Sequence, residues 1–359
     1  RALTLDPALD DARFGLGLYQ YFAGTAPRVL RMFRWLLLLP GGDAEEGLAQ
    51  IERAYRAGGL VSAEAANQLH LIYLWYEERF TEARALVAEL AGRYPRSPLF
   101  RQSLAEIDDT YLGEPADSLR GWQALLDAAS RGDVNAPHLA TARARLGLAS
   151  HFERRDESDR AIAHADAVLA QASVPVDARS RAWLIRGIAH DRLGERRQAD
   201  ADWQRAVETA PTTMGSAVTR EVGRARQRRP SSDRARAYRL SLEGWRAFER
   251  GDLALAWTRL EDARALDRAS VVIRFRRALV LAARGPRGEA LTELDAVLTA
   301  RPVPPAWVRV RAFIEAGAIA EALGQRDRAR SLYAQAAEVA GADRDLRARA
   351  ARDAARLTP

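Results

Sequence analysis

Tyr238, Trp245 and Phe248 are spaced seven and three residues apart, which places three large rings on one face of a helix. Aromatic rings set among arginines are the residue types from which binding hot spots are built. The competing reading is that the rings pack against neighbouring helices, because large apolar side chains are mostly buried. Covalent chemistry has far less to work with. The chain has no Cys, and all 55 of its basic residues other than His are Arg. Without Lys these residues hold no Walker-type phosphate loop, no kinase ATP lysine and no Schiff base. Without Cys they hold no thiolate nucleophile, disulfide or cysteine zinc site. The five histidines, at 70, 138, 151, 164 and 190, form no His-Glu-x-x-His or other paired ligand spacing. Asp108 and Asp109 are sequence neighbours and point different ways on a helix, and no Gly-x-Ser-x-Gly elbow occurs. The expectation is a non-enzymatic protein with no cofactor and no metal.

The elements that would position such rings are helices. Asp11 to Ala23 places Phe14, Leu18, Tyr21 and Phe22 on one helical face, and no period-two strand pattern competes anywhere in the chain. A hydrophobic fraction of 48% with 29% charged residues is that of an ordinary folded chain, so global disorder is excluded. At 359 residues a globular protein would divide into about two or three domains. A solenoid escapes that limit, because each repeat touches only its neighbours. Residues 1–200 hold 25 Arg against 28 acids and residues 201–359 hold 30 against 20, so the two parts carry −3 and +10. The basic part favours an acidic partner, an anionic membrane or nucleic acid.

The clearest repeat unit runs from Trp183 to Pro211. Trp183, Gly187 and His190 mark a first helix, Gly194 a turn, Ala199, Trp203 and Ala206 a second helix, and Pro211 closes it. The pattern resembles the tetratricopeptide repeat (TPR), in which a small residue lets two helices approach and large residues fill the remaining gaps. The register returns at Ala83 and Pro95, at Gly113 and Trp122, and at Gly147 and Ala161. It returns again at Leu240, Gly244, Gly251, Ala256 and Ala263; at Ala278, Gly285, Ala290 and Pro302; and at Phe313, Gly317, Gly324, Ala329, Tyr333 and Ala336. The first residues, Ala2 to Pro7, read as the tail of a repeat whose front lies upstream. The resemblance implies an all-α, right-handed α-α superhelix, a TPR-like solenoid of about eight helical hairpins.

Two stretches depart from the pattern. Gly187 and Gly244 lie 57 residues apart where about 34 is the family's period, so 212–233 is read as an irregular basic linker or one extra helix. It divides an N-terminal array, 1–211, from a C-terminal array, 234–359, with a charged capping helix. Arg224, Arg226, Arg228 and Arg229 lie in it without an interleaved aromatic, which disfavours nucleic acid as a partner. The other departure is the apolar insertion at 24–43, with a short helix expected at 28–39 between Pro27 and Pro40. Arg28, Arg31 and Arg34 line one side and Val29, Leu30, Phe33 and Leu37 lie largely elsewhere, with Trp35 in the same candidate helix. It reads as a structural plug or as an interfacial membrane helix, since about 20 residues are needed to span a bilayer. The segment LGLYQYFAGTAPRVLRMFRWLLLLPGGDAEEGLAQIERA is also similar to a stretch of bacterial inclusion-body-clearance, outer-membrane tetratricopeptide proteins. That likeness leans toward a periplasmic or exported location.

In the family, the first helices of successive repeats line a concave groove. The resemblance therefore implies groove residues Phe14, Tyr21 and Phe22; Gln68, Trp75 and Tyr76; Leu184 and Asp191; Tyr238, Trp245 and Phe248; and Phe275. Arg181 and Arg192 would meet acidic groups on the ligand. The expected function is a protein–protein interaction scaffold that binds a peptide or protein subunit in this groove, alone or within a larger complex. The second reading is a membrane-associated assembly factor docked on anionic lipid through 28–39 and the basic C-terminal half.

Overall fold

A computed structural model describes residue 6 and residues 9–25, 41–57 and 59–358. Among these every regular element is an α-helix, and the fold class is the all-α, α-α superhelical one that the repeat pattern implies. None of those helices is long and apolar enough to cross a membrane. Arg28, Arg31, Phe33, Arg34, Trp35 and Leu37, and with them the expected 28–39 helix, lie outside the described residues. The chain divides into two compact units, Arg1–Leu112 and Gly113–Pro359.

The first unit contains α1 (Asp10–Thr25), α2 (Ala44–Arg56), α3 (Ser62–Trp75), α4 (Phe80–Arg93) and α5 (Pro98–Thr110). The start of α2 lies beside the end of α1 and its end beside the start of α1, where Arg53 pairs with Asp10 at 2.8 Å, so the two run antiparallel. They pack directly even though the insertion separates them in sequence. Two small residues make that possible, because a Cβ built on Gly47 would sit 2.3 Å from the Tyr21 backbone nitrogen. Asp43 begins α2 as an N-cap, accepting from the Glu45 and Glu46 amides at 3.0 and 3.1 Å. Tyr21, Ile51, Leu69, Ile72, Leu90 and Ile107 form the core of the unit.

The second unit begins with α6 (Pro115–Ser130), α7 (Pro137–Arg154), α8 (Ser158–Leu169), α9 (Val176–Arg192) and α10 (Arg196–Glu208). Proline opens α6 and α7 at a position whose amide has no helical partner in any case. The irregular stretch holds one helix, α11 (Gly215–Gln227). It buries little beyond Val218 and Val222. Then come α12 (Ser232–Glu249), α13 (Leu253–Leu266), α14 (Val271–Arg284), α15 (Arg287–Leu298), α16 (Ala306–Ala322), α17 (Arg326–Ala337) and the final α18 (Arg344–Arg356). Glycines with positive φ at 194, 251, 285 and 324 make the sharp turns of this unit, a conformation that costs glycine nothing.

The two ends of this unit meet. Arg344 reaches Asp117 at 3.0 Å, Arg347 reaches Glu114 at 3.1 Å and Arg120 reaches Asp345 at 3.1 Å. The Arg344 amide also donates to Glu114 Oε2 at 2.6 Å. The first and last helices are thus tied together by charge, and α18 closes on α6 in addition to capping α17.

Candidate functional site

In Gly113–Pro359 the turn between α7 and α8 lies against the face where an open groove is expected. Arg276 of α14 is buried and donates to the Asp156 carbonyl at 2.9 Å and to Ser241 Oγ at 3.0 Å. Burial pulls its guanidinium below the usual arginine range. Tyr238 Oη takes the Ser158 amide at 3.2 Å and lies 2.9 Å from Ser158 Oγ, and burial pushes the phenol up. Arg246 binds Glu157 at 2.8 Å, Asp159 at 2.7 Å and Glu249 at 2.8 Å. Arg192 is held by Glu153 and Asp156, each at 2.8 Å, and those carboxylates outweigh the cost of burial and raise it. Arg155 lies over the Trp307 ring at 5.9 Å. Polar groups that would otherwise face a ligand are satisfied by the chain itself.

This arrangement corrects several expectations. Tyr238 is half-buried beneath Ser158, and Trp245 stacks on Phe248 at 5.2 Å with Arg276 over its ring at 5.7 Å. Phe275 is a core residue, edge-on to Trp307 at 6.1 Å, and Leu184 is core as well. Asp191 is buried in an ion pair with Arg229 at 2.6 Å, and Arg181 binds both oxygens of Glu221 at 3.0 and 2.8 Å. Arg181 and Arg192 each already hold carboxylates of this chain. Two local causes account for most of them: the α7–α8 turn engages Tyr238 and holds Arg192 through Asp156, while α11 and Arg229, just past its end, engage Leu184, Arg181 and Asp191.

Arg1–Leu112 differs. Tyr21 is fully buried there, its hydroxyl donating to Glu77 at 2.5 Å, and both burial and Glu77 push its pKa up. Phe14 packs against the core, and Gln68 is half-buried and donates to Glu64 at 2.9 Å. Trp75, however, is 62% exposed, Tyr76 53% and Phe22 41%. The exposed rings are oriented by their neighbours. Trp75 Nε1 donates to Tyr111 Oη at 3.2 Å, and Tyr21, Phe22 and Tyr76 meet edge to face at 5.4 to 6.0 Å. Of the expected groove residues, Phe22 and Tyr76 are brought into contact, and Trp75 is exposed beside Tyr111, a residue on which sequence reasoning was silent and which accepts its Nε1 hydrogen bond.

Packing at the repeat positions decides the fold. A Cβ on Gly187 would meet Trp203 at 2.5 Å, one on Gly244 would meet Leu260 at 2.9 Å, and one on Gly317 would meet Tyr333 at 2.8 Å. In each case the small residue of a first helix receives the large residue of its second. The chain has a tetratricopeptide-repeat fold. No family model and no curated protein sequence matches it. Among solved structures, a tetratricopeptide repeat protein from Parabacteroides merdae is similar at 16% identity with a TM-score of 0.36, over 82% of this chain and 99% of its own. Yeast Tom70 is similar at 14% identity and TM-score 0.33, over 99% and 83%. The TPR2AB domain of yeast Sti1, in its pHSP90 complex, is similar at 14% identity and TM-score 0.29, over 83% and 98%. Superpositions this loose transfer no ligand, and the fold assignment rests on the packing positions.

The helices of Gly113–Pro359 also bury titratable groups. Among the described residues no three His, Cys, Asp or Glu side chains converge as a metal site. His151 of α7 is buried and edge-on to Phe152 at 5.4 Å, and Phe152 stacks on His164 at 5.5 Å. Burial, aided by Arg155 and Arg154, pulls His151 down to about 3, and burial also lowers His164. The unfolded chain therefore takes up these protons first as pH falls. Stability is full above the ordinary histidine pKa of about 6.5 and is lost progressively from there toward pH 3. His151 alone should account for about 2 kcal/mol of loss between pH 7.5 and pH 5. Urea titrations at the two pH values measure it, and His151→Leu should remove that share of the difference. An unchanged difference in the variant would show that His151 titrates normally.

Proposed function

We propose that the protein is a non-enzymatic scaffold for protein–protein interaction, and that an apolar segment of a protein partner docks on the aromatic face of Arg1–Leu112 at Trp75, Tyr76 and Phe22. The observation that carries this reading is Trp75, whose ring is mostly exposed while its Nε1 is held by Tyr111. A large ring fixed in place before binding loses little side-chain entropy when a partner covers it. Apolar area of that size, removed from water at the centre of an interface, is where binding energy concentrates. The reading is narrower than a groove running the length of the chain, because the inward residues of Gly113–Pro359 are engaged by the α7–α8 turn.

The test is to place a photo-crosslinking amino acid at Tyr76, isolate the protein it captures, and measure that protein's affinity for defined variants. Trp75→Ala is expected to weaken binding by about 2 kcal/mol, roughly thirtyfold in Kd. Leu99→Ala, an exposed apolar residue at the start of α5, should change Kd less than about twofold. If Trp75→Ala and Tyr76→Ala both left Kd unchanged, the aromatic face would not be the binding site.

A further inference from the structure

Where α11 interrupts the repeat register, the hairpin of α12 and α13 meets the preceding hairpin through its turn. A Cβ on Gly194 would lie 2.9 Å from Ala235 Cβ, and Arg239 Nη1 donates to the Leu193 carbonyl. The second helix of that hairpin, α10, does not pack along α12. The space left open is a cleft of about 400 Å³, walled by Leu193, Leu242 and Leu255 and crossed by four arginines.

Four arginines and two carboxylates line the cleft. Arg246 is paired with Asp159 and, outside the lining, with Glu157 and Glu249, and Arg259 with Glu243 at 3.1 Å. Arg239 and Arg250 also line the cleft, and among the described residues neither has a carboxylate within 4.0 Å. Two positive charges thus stand beside three leucines. The surrounding unit, residues 113–359, holds 43 Arg against 33 acids, a net +10 that draws anions toward it. None of the lining residues is aromatic, so the cleft has no surface on which a nucleic-acid base would stack. Aliphatic walls with unpaired guanidinium groups fit an acidic side chain followed by an aliphatic one.

We infer that this cleft binds an acidic peptide segment of a protein partner, with carboxylates on Arg239 and Arg250 and an aliphatic side chain against Leu193, Leu242 and Leu255. The site lies in the other unit from the Trp75 face and is independent of it. It exists because the extra helix prevents the usual contact between consecutive repeats.

Fluorescence anisotropy with a short labelled peptide alternating glutamate and leucine tests the proposal. Saturable binding is expected, weakened about tenfold by Arg250→Glu and falling with added salt. Arg250 is exposed and its backbone alone caps α12, so the fold should survive, which circular dichroism checks. Arg250→Gln, which removes the charge without reversing it, should give a smaller loss. Arg352→Glu makes the same change of net charge on an exposed position of α18 and should leave binding intact. Trp75→Ala should also leave it intact, so a failure here and a failure of the aromatic face are separable. Absence of saturable binding, equal loss in Arg250→Glu and Arg352→Glu, equal binding of a glutamate–serine peptide, or full displacement by an oligonucleotide of equal charge would each overturn the assignment.

Discussion

Trp203→Ala is expected to lower the unfolding free energy of Gly113–Pro359 by about 3–5 kcal/mol, the usual cost of emptying a buried aromatic site. Trp203 has no exposed surface, and its ring occupies the gap that Gly187 leaves in α9. Val218 and Val222 of α11 pack in the same cluster, so the cavity would loosen the extra helix as well as the α9–α10 hairpin. Arg229 and Arg226 lie over the indole at 5.2 and 5.9 Å, and that attraction is lost with the ring. Trp203→Phe separates volume from polarity. Among the described residues the indole Nε1 finds no acceptor, so phenylalanine gives up some volume but also an unsatisfied donor. It should cost only about 1–2 kcal/mol. Urea midpoints at pH 7.5 measure both, and a loss below about 1 kcal/mol for the alanine variant would show that the site collapses without penalty.

In Arg1–Leu112 the corresponding weak point is a backbone approach. Gly47→Ala should destabilise the unit by about 3 kcal/mol, at the upper end for overpacking. The added Cβ would sit 2.3 Å from the Tyr21 nitrogen and 2.7 Å from the Gly17 carbonyl oxygen. Backbone atoms cannot turn aside as a side chain can, so α1 and α2 must separate, and Tyr21 and Ile51 lose packing with them. Gly15→Ala is the control on the same hairpin, because a Cβ there meets nothing within 4 Å. It should be neutral or stabilising by about 0.5–1 kcal/mol, since alanine is the better helix former. Thermal melts of the two variants should shift apart, and equal melting temperatures would contradict the close crossing of α1 and α2.

The helical hairpins were legible because their signals are local. Gly187 and Trp203, or Gly317 and Tyr333, lie 16 residues apart and each pair belongs to one hairpin, so a single repeat carries the whole instruction. The extra length at 212–233 was legible as an interruption for the same reason, and α11 fills it. The aromatic positions were harder to read. Tyr21 and Phe22 are neighbours in sequence, yet one is buried on Glu77 and the other faces solvent. Which of them faces solvent depends on where Tyr76 and Glu77, just past the end of α3, meet α1, and that is a relation between repeats.

By itself, the sequence determined the all-α repeat class and the turn and packing positions within each hairpin, because these follow from residue size and spacing inside one unit of chain. It also excluded lysine and cysteine chemistry, because those side chains are missing. Only the tertiary structure decided that the second unit closes on itself through Glu114, Asp117, Arg344 and Arg347, more than 220 residues apart in sequence. The same holds for the α7–α8 turn, whose Asp156 and Ser158 satisfy Arg276 and Tyr238 where a ligand was expected. Such pairings depend on small rotations between consecutive repeats that accumulate along the array, and no single repeat encodes their sum.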